Sequence, residues 1–380
     1  MKASELLRTI GVPSSEAGAD PEITSVECDS RKVKAGSCFV AIAGSNADGH
    51  DFAGEAVGRG ARLVVVEREV AAPPGATVVK VEDTRTALAR LAALWHGEPA
   101  RALSFVGITG TNGKTTTAYL THHIIETAGH KAGLLSTVER RTGARTRAAS
   151  QTTAGPIELH ADLAEMRANG LEYVVMEVSS HALDQRRVEG LSFRAAVFTN
   201  FTHDHLDYHQ DMGSYLAAKL LLFRNLGADA TAVVNGDDGH SGDFLRAASH
   251  AKYRTYAVDR CADFRALSVQ TSIRGTTFTA AGPEWSLPVR THLVGKHNVY
   301  NSLAATATAW ALGVEKEKIG EALETFAGVP GRLERIDGPD FSAFVDYAHT
   351  DDALENVLGC LRRLTEGRLI VVFGCGGDRD

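Results

Sequence analysis

Short apolar and β-branched runs alternate along the chain with longer stretches that read as helices, the pattern of an α/β protein. Residues 63–66 and 77–81, separated by the turn-like Pro73-Pro74-Gly75, predict two strands of a small α/β unit, and a helix is expected over 84–95. Gly97-Glu98-Pro99 stops that helix and marks a first domain boundary. A new unit opens with a strand over 103–108. Further strands are expected at 173–178, 195–199 and 231–234, each separated from the next by a helical segment or a long loop. This alternation predicts a mostly parallel sheet covered on both faces. Helices over 301–312 and 318–326 lead to a second boundary near Gly328-Val329-Pro330-Gly331. Beyond it, strands at 343–347 and 369–373 flank a helix over 351–364. A strand running into Gly374-Cys375-Gly376-Gly377 normally feeds another helix, so the last domain is expected to stop after one β-α-β unit at Asp380. The expected domains are 1–98, 99–329 and 330–380.

Composition narrows the function classes. A length of 380 residues fits two or three domains, and 44% hydrophobic with 23% charged residues excludes disorder over most of the chain. With 40 Lys and Arg against 47 Asp and Glu, the net charge of −7 offers no basic excess for nucleic acid or anionic lipid. Any polyanion must be gripped locally. The N-terminal Met1-Lys2-Ala3-Ser4-Glu5-Leu6-Leu7-Arg8 lacks a signal-peptide pattern, and the longest apolar runs are too short to span a bilayer, so a cytoplasmic location is expected. The cysteines at 28, 38, 261, 360 and 375 form no Cys-x-x-Cys pair and read as reduced, mostly buried thiols.

Candidate chemistry begins at Gly110-Thr111-Asn112-Gly113-Lys114-Thr115-Thr116, directly after a strand and before a helical run. Small residues let backbone N–H groups close around phosphate oxygens, Lys114 can reach terminal phosphates and Thr115 can ligate magnesium. The usual spacing of two glycines with four residues between them is not met, because Ile108 stands where the first glycine belongs. A Gly-rich turn with a surface lysine is the competing reading. Glu177 ends an apolar strand, where open parallel sheets form ligand sites, and is a candidate magnesium ligand, with a solvated charge or a helix cap as the alternatives. Residues 202–209 hold His203, Asp204, His205, Asp207 and His209, which suit a zinc site, a magnesium site with one histidine, or a polar loop. No cysteine is near, and phosphate chemistry favours magnesium. Lys219 lies among apolar residues of a helix, a pattern that a lysine snorkelling from an amphipathic face also gives.

Taken in order, these segments resemble the Mur ligase family, ATP-dependent enzymes that build the peptide of bacterial peptidoglycan and thereby serve cell shape and division. The matching residues are Gly110 to Thr116, Gln151-Thr152-Thr153, Glu177-Val178-Ser179-Ser180-His181, Asp204-His205-Leu206-Asp207, Ala218-Lys219, His297-Asn298-Val299-Tyr300-Asn301, Gly331-Arg332-Leu333-Glu334 and Asp346-Tyr347-Ala348-His349-Thr350. Asp29-Ser30-Arg31, Gly36, Phe39-Val40-Ala41 and Ala47-Asp48-Gly49 look like the UDP-binding domain of the branch that adds the third amino acid, meso-diaminopimelate or L-lysine, to UDP-N-acetylmuramoyl-L-alanyl-D-glutamate.

The resemblance implies a small N-terminal α/β UDP-binding domain, a central phosphate-loop domain with a mostly parallel sheet, and an incomplete Rossmann-like third domain. It implies that Lys114 and Thr115 hold ATP phosphates and Mg²⁺, with Glu177 and His205 completing metal shells. Lys219 matches the lysine that family members carbamylate with CO₂, a reaction that needs a neutral amine. Ser30, Ser45, Asn46 and Ala47 would contact UDP. Gln151, Thr152, Thr153, Ser179, Gln185 and Arg187 would hold the muramoyl-dipeptide, and Asn298, Arg332 and Asp346 would serve adenine, phosphate and ribose. The implied reaction makes an acyl phosphate that an amine then displaces. The implied partners are small molecules, with no nucleic acid, no membrane and a monomeric state.

Gln151 replaces the family's usual asparagine, and Asp351 its proline. The family's Asp-Asn-Pro-Arg element, which reads the incoming amino acid, is absent, leaving Arg379 as a remnant contact. Folylpolyglutamate synthase, a related ligase, and a nucleotide-binding fragment without turnover are the alternatives. The N-terminal block argues against the first.

Overall fold

The computed structural model describes residues 1–44, 47–71, 74–349 and 351–374. Contacts divide the chain into two compact units. The first comprises Met1–Leu103, Thr153–Gly170 and His181–Leu191, so two stretches expected in the central domain group with the N-terminal residues. The second comprises Ser104–Thr152, Leu171–Ser180 and Ser192–Asp380.

In the first unit β1 (Ser25–Glu27), β2 (Ser37–Val40), β3 (Leu63–Val66) and β4 (Thr77–Lys80) form a parallel sheet in that order. Strands β2 and β3 are buried along their whole length, because side chains from both faces enter apolar clusters. Leu6, Leu7, Val40, Leu63, Val65, Leu88 and Leu91 fill one cluster, and Phe39, Ala53, Ala56, Val64 and Val66 the other. The helix Thr84–Trp95 starts where sequence places it, since the Asp83 carboxylate accepts the N–H groups of Arg85 and Thr86.

The second unit is built on strands β5 (Ser104–Thr109), β6 (Ala132–Leu135), β7 (Glu139–Arg141), β8 (Thr146–Ala148), β9 (Tyr173–Glu177), β10 (Phe193–Phe198), β11 (Thr231–Asn235), β12 (Lys252–Ala257), β13 (Phe264–Ser272), β14 (Gly275–Ala281) and β15 (Ser286–Thr291). They form one sheet in the order β15-β14-β13-β12-β11-β10-β5-β9-β6-β7-β8. The strands from β13 to β6 are parallel, as expected. Both margins are antiparallel, β13-β14-β15 on one side and β6-β7-β8 on the other, because short turns join these strands and a parallel crossover needs far more chain. The outermost strands are weak templates: β8 has 3 residues, all exposed, and β15 carries Pro288 opposite Thr279. The helices Lys114–Thr127, Lys296–Ala311 and Lys316–Thr325 supply Leu120, Ile124, Val299, Leu303, Ile319 and Leu323 to the core with Val106 and Ile108 of β5. Elsewhere in the unit Phe198 stacks on Phe244 at 3.7 Å, and Phe223 meets the same ring edge-on.

The last strands, β16 (Glu334–Asp337) and β17 (Ser342–Val345), pair antiparallel, and the helix Asp351–Leu364 follows as expected. The strand expected at 369–373 does not form. Among the described residues β17 pairs only with β16, so this stretch finds no ladder, and Ile370, Val372 and Phe373 are exposed. Of the described cysteines Cys38 and Cys360 are buried, whereas Cys28 and Cys261 are exposed, contrary to the expectation of mostly buried thiols. No helix among the described residues is long and apolar enough to cross a membrane.

Candidate active site

Parallel strands expose loops at their C-terminal ends, and those of β5, β9 and β10 supply the polar side chains of one cleft in the second unit. Its volume is about 630 Å³, within the range of small-molecule sites. After β5 the chain turns through Gly110 at φ +145° and Gly113 at φ +83° into the helix Lys114–Thr127. Glycine is required at both positions. A Cβ at Gly110 would collide with the Thr199 hydroxyl, and one at Gly113 with the Asn301 amide oxygen. The residues after β10 fix the loop: Asn200 accepts from Asn112 N at 2.8 Å and donates to Asn112 O at 3.0 Å, while Thr199 Oγ1 donates to the same carbonyl at 2.6 Å. Thr111 N donates to Asn200 O, and Thr111 Oγ1 lies 3.2 Å from the Tyr215 hydroxyl.

Two lysines converge on one carbonyl. Lys114 Nζ donates to Gly110 O at 2.9 Å and to Thr111 O at 2.7 Å, and Lys219 Nζ donates to Gly110 O at 2.8 Å. Lys219 is 1% exposed and sits 4.3 Å from the centre of the Tyr215 ring, so it does not snorkel. Burial drives its pKa well below the ordinary lysine value, and the nearby Lys114 charge pushes it the same way. Burial also lowers the Lys114 pKa, opposed by Glu177 and Asp204.

Glu177, at the end of β9, is fully buried. Its carboxylate accepts from Thr115 Oγ1 at 3.1 Å, Thr137 N at 2.7 Å and Thr137 Oγ1 at 3.1 Å. Of the histidine-rich stretch, Asp204 and His205 line the cleft, His203 and Asp207 are exposed, and His209 packs against Tyr215 with ring centres 5.2 Å apart. His205 has a left-handed backbone at φ +54° and lies 3.4 Å from Asp204, and burial lowers its pKa. Among the described residues no three His, Cys, Asp or Glu side chains converge as a dedicated metal cage. The Thr115 hydroxyl and Glu177 carboxylate are hard oxygen donors beside a phosphate loop. That set fits magnesium, which takes few protein ligands and fills its shell with phosphate and water.

Asn298, Arg332 and Asp346 also line the cleft. Asn298 is tied into its helix, donating to Val294 O and accepting from Asn301 Nδ2 at 2.9 Å each. Asp346 accepts Leu333 N and Ala348 N at 2.7 Å each, and Arg332 lies over the Tyr347 ring at 4.9 Å. Thr116, though largely buried, lines the cleft with Thr152 and Ser179. Gln151 is exposed.

The remaining expected residues belong to the first unit or lie outside the described residues. Ser30 is buried with its hydroxyl 3.4 Å from Glu55, and Ala47 is exposed. Arg187 donates to Thr153 O at 2.8 Å and through two nitrogens to Gln185 Oε1. Ser45, Asn46 and Arg379 lie outside the described residues. The sequence reading missed Thr137, Thr199 and Asn200, and gave no role to Tyr300 of the matching run 297–301; all four line the cleft. A usable signal was present for Thr199 and Asn200, polar residues directly after a recognised strand.

Comparison with known proteins gives matches to the Mur ligase family, catalytic domain over 22–96, the Mur ligase middle domain over 108–309 and the Mur ligase, glutamate ligase domain over 331–380. A UDP-N-acetylmuramoyl-L-alanyl-D-glutamate--2,6-diaminopimelate ligase from Bacillus licheniformis is 45% identical, with the alignment covering 100% of this chain and 79% of the relative. The chain belongs to the Mur ligase family. A ligase of the same name from Geobacter sulfurreducens is 43% identical over 100% of this chain and 76% of its own length. A solved structure of a UDP-N-acetylmuramoyl-L-alanyl-D-glutamate--2,6-diaminopimelate ligase superposes with a TM-score of 0.78 at 30% identity, covering 94% of this chain and 74% of that one. A folylpolyglutamate synthase from Mycobacterium tuberculosis, 20% identical with a TM-score of 0.60, covers 74% of this chain and 69% of its own and shares the fold alone. Mur ligases have a three-domain architecture and form amide bonds with ATP and Mg²⁺.

Proposed function

We propose that this Mur ligase joins 2,6-diaminopimelate to the D-glutamyl carboxylate of UDP-N-acetylmuramoyl-L-alanyl-D-glutamate, with ATP converted to ADP and phosphate. The observation that carries the reading is the convergence of Lys114, Thr115, Glu177 and the buried Lys219 around one phosphate loop. Relatives 42–45% identical bear this activity in their names. In the first step a carboxylate oxygen bonds to the γ-phosphorus and ADP leaves. In the second the amine nitrogen attacks the acyl carbon, phosphate leaves and the nitrogen loses a proton. Loop N–H groups and Lys114 bind and orient the phosphates and offset charge on the transferred oxygens. Thr115, Glu177 and His205 would hold Mg²⁺, which when bound supplies further neutralisation of phosphate charge.

Burial lowers the Lys219 pKa and so favours the neutral amine, the form that adds to CO₂ with loss of a proton to give a carbamate. We assign Lys219 that modification, which would place an anion beside Lys114. Within the second unit, Gly110 to Thr116, Asn298, Arg332 and Asp346 are assigned to ATP, and Gln151, Thr152 and Ser179 to the dipeptide. Within the first, Ser30, Ser45, Asn46 and Ala47 are assigned to UDP, and Thr153, Gln185 and Arg187 to the sugar-dipeptide. The proposed domain limits are 1–98, 99–329 and 330–380, and the enzyme is placed in the cytoplasm as a monomer. The test is phosphate release with ATP, Mg²⁺ and the UDP-dipeptide, supplied with diaminopimelate, lysine or no amine. Release that requires diaminopimelate is expected. Release requiring lysine would change the assigned amine, and release with a folate and glutamate but not the UDP-dipeptide would overturn the reading.

A further inference from the structure

Just past the end of β11, the Asp237 carboxylate is held by backbone. Its Oδ2 accepts Val258 N at 2.7 Å and Asp259 N at 2.9 Å, and its Oδ1 accepts Arg260 N at 2.9 Å. These bonds tie the turn after β12 to the end of β11 and fix the carboxylate before any side chain reaches it. Burial would raise its pKa, but the hydrogen bonds from Asp259 N, Tyr300, Val258 N and Arg260 N outweigh burial and hold the carboxyl below the usual range, so at neutral pH it only accepts. One further donor comes from the helix Lys296–Ala311: the Tyr300 hydroxyl donates to Asp237 Oδ2 at 2.7 Å. Burial and this bond push the Tyr300 pKa up, so the hydroxyl keeps its proton. The Asp259 carboxylate stands farther from that hydroxyl, at 3.3 Å, and is held by Lys296 Nζ at 2.8 and 2.7 Å.

Tyr300 is half-buried and lines the cleft, whereas among the described residues the lining does not include Asp237. The next residue of the helix, Asn301, abuts Gly113 of the phosphate loop, and Asn298 also lines the cleft. An uncharged ring adds little to phosphates that loop N–H groups and Lys114 take, but it offers a flat apolar surface to a base or a sugar. Building on the function proposed above, we infer that Asp237 is a positioning residue for ATP, holding the Tyr300 ring in the cleft wall so that the nucleoside end meets a surface already ordered. A carboxylate fixed by three backbone N–H groups is a rigid peg. A ring tied to it through its hydroxyl has little side-chain freedom left to lose when the ligand binds.

The experiment is calorimetric binding of ATP with Mg²⁺, and separately of UDP-N-acetylmuramoyl-L-alanyl-D-glutamate, to the wild type, Y300F, Y300L, D237N and the D237N/Y300F double variant, with the thermal unfolding of each recorded. Y300F removes one oxygen and leaves Asp237 its three backbone donors. It is expected to weaken ATP binding at least about threefold, the cost of ordering a freed side chain on binding. Y300L, which removes the ring, should weaken it at least about tenfold. Binding of the UDP-dipeptide by both should stay within about twofold of wild type. In the double variant the losses should not multiply, because both substitutions break one tie. A loss of ATP affinity below threefold in Y300F, an equal loss for the UDP-dipeptide, or losses that multiply would overturn the inference. A lowered unfolding temperature with ATP binding kept would show a purely structural tie and overturn it as well. Should D237N fail to fold, Y300F and Y300L decide the question, since neither alters the bonds from residues 258–260. No binding of ATP or of the UDP-dipeptide by the wild type would overturn the functional reading and this inference with it, whereas wild-type binding with an indifferent Y300F removes the inference alone.

Discussion

Replacing Lys219 by Met should make the second unit more stable while ending ligation, and the stability gain should depend on pH. The amine is 1% exposed, and burial with the neighbouring Lys114 charge depresses its pKa in the folded chain. In the unfolded chain it returns to about 10.4. Between the depressed value and about 10.4 the unfolded state binds one more proton than the folded state. Wild-type stability therefore rises with pH across that window, by at most about 1.4 kcal/mol per pH unit, and levels off below the folded pKa. K219M lacks this slope. Its advantage over wild type should be larger at pH 8 than at pH 9.5, by up to about 2 kcal/mol from the same slope. Urea unfolding in CO₂-free buffer, followed by the fluorescence of Trp285 and Trp310 in a Trp95→Phe background, reports on the second unit, where these two rings pack 5.4 Å apart. Subtracting K219M from wild type cancels the other titrating groups. A difference that is flat from pH 8 to 9.5 would mean that the folded amine keeps an ordinary pKa, and the carbamate assignment would lose its chemical premise.

Lys114→Ala is expected to abolish ATP turnover while UDP-substrate binding persists, since the residues assigned to UDP belong to the first unit; ADP formation at an undiminished rate would refute the loop assignment. Gly110→Ala forces a side chain into φ +145° and against Thr199, so a loss of at least about 1 kcal/mol in urea unfolding, together with weakened nucleotide binding, is expected. His160, 2% exposed and with neither ring nitrogen hydrogen-bonded among the described residues, has its pKa pushed down by burial to about 4. Because the unfolded chain protonates near 6.5, this histidine should cost stability as pH falls from about 6.5 to 4. His160→Leu should flatten that part of the acid-unfolding profile, and an unchanged profile would show that the folded ring titrates normally.

The phosphate loop was readable because its residues are consecutive and its flanking strand and helix have strong patterns. Lys219 was not readable alone: a lysine in an apolar helix is buried or snorkelling according to what packs over it, and here the partner carbonyl is Gly110, far away in the chain. Thr137 was invisible for a related reason, being a single threonine after a four-residue strand whose side-chain partners, Glu177 and Thr152, are not its neighbours in sequence. The β13-β14-β15 meander escaped because β13 is exposed or half-buried over much of its length and lacks an apolar run. Residues 369–373 show the reverse error. Their composition suits a strand, but composition cannot supply the neighbour that a ladder requires.

The margins of the large sheet bear on how the enzyme behaves in a crowded solution. A wide parallel sheet that ended on long, regular strands would offer bare N–H and C=O rows to any extended chain nearby. Here one margin is a three-residue strand with Arg147 at its centre, and the other has a proline in mid-strand that supplies no N–H at position 288. Neither can seed a continuous intermolecular ladder. The sheet can therefore be broad enough to array its catalytic loops along one rim without recruiting copies of itself, and high concentrations should leave this part of the molecule dispersed.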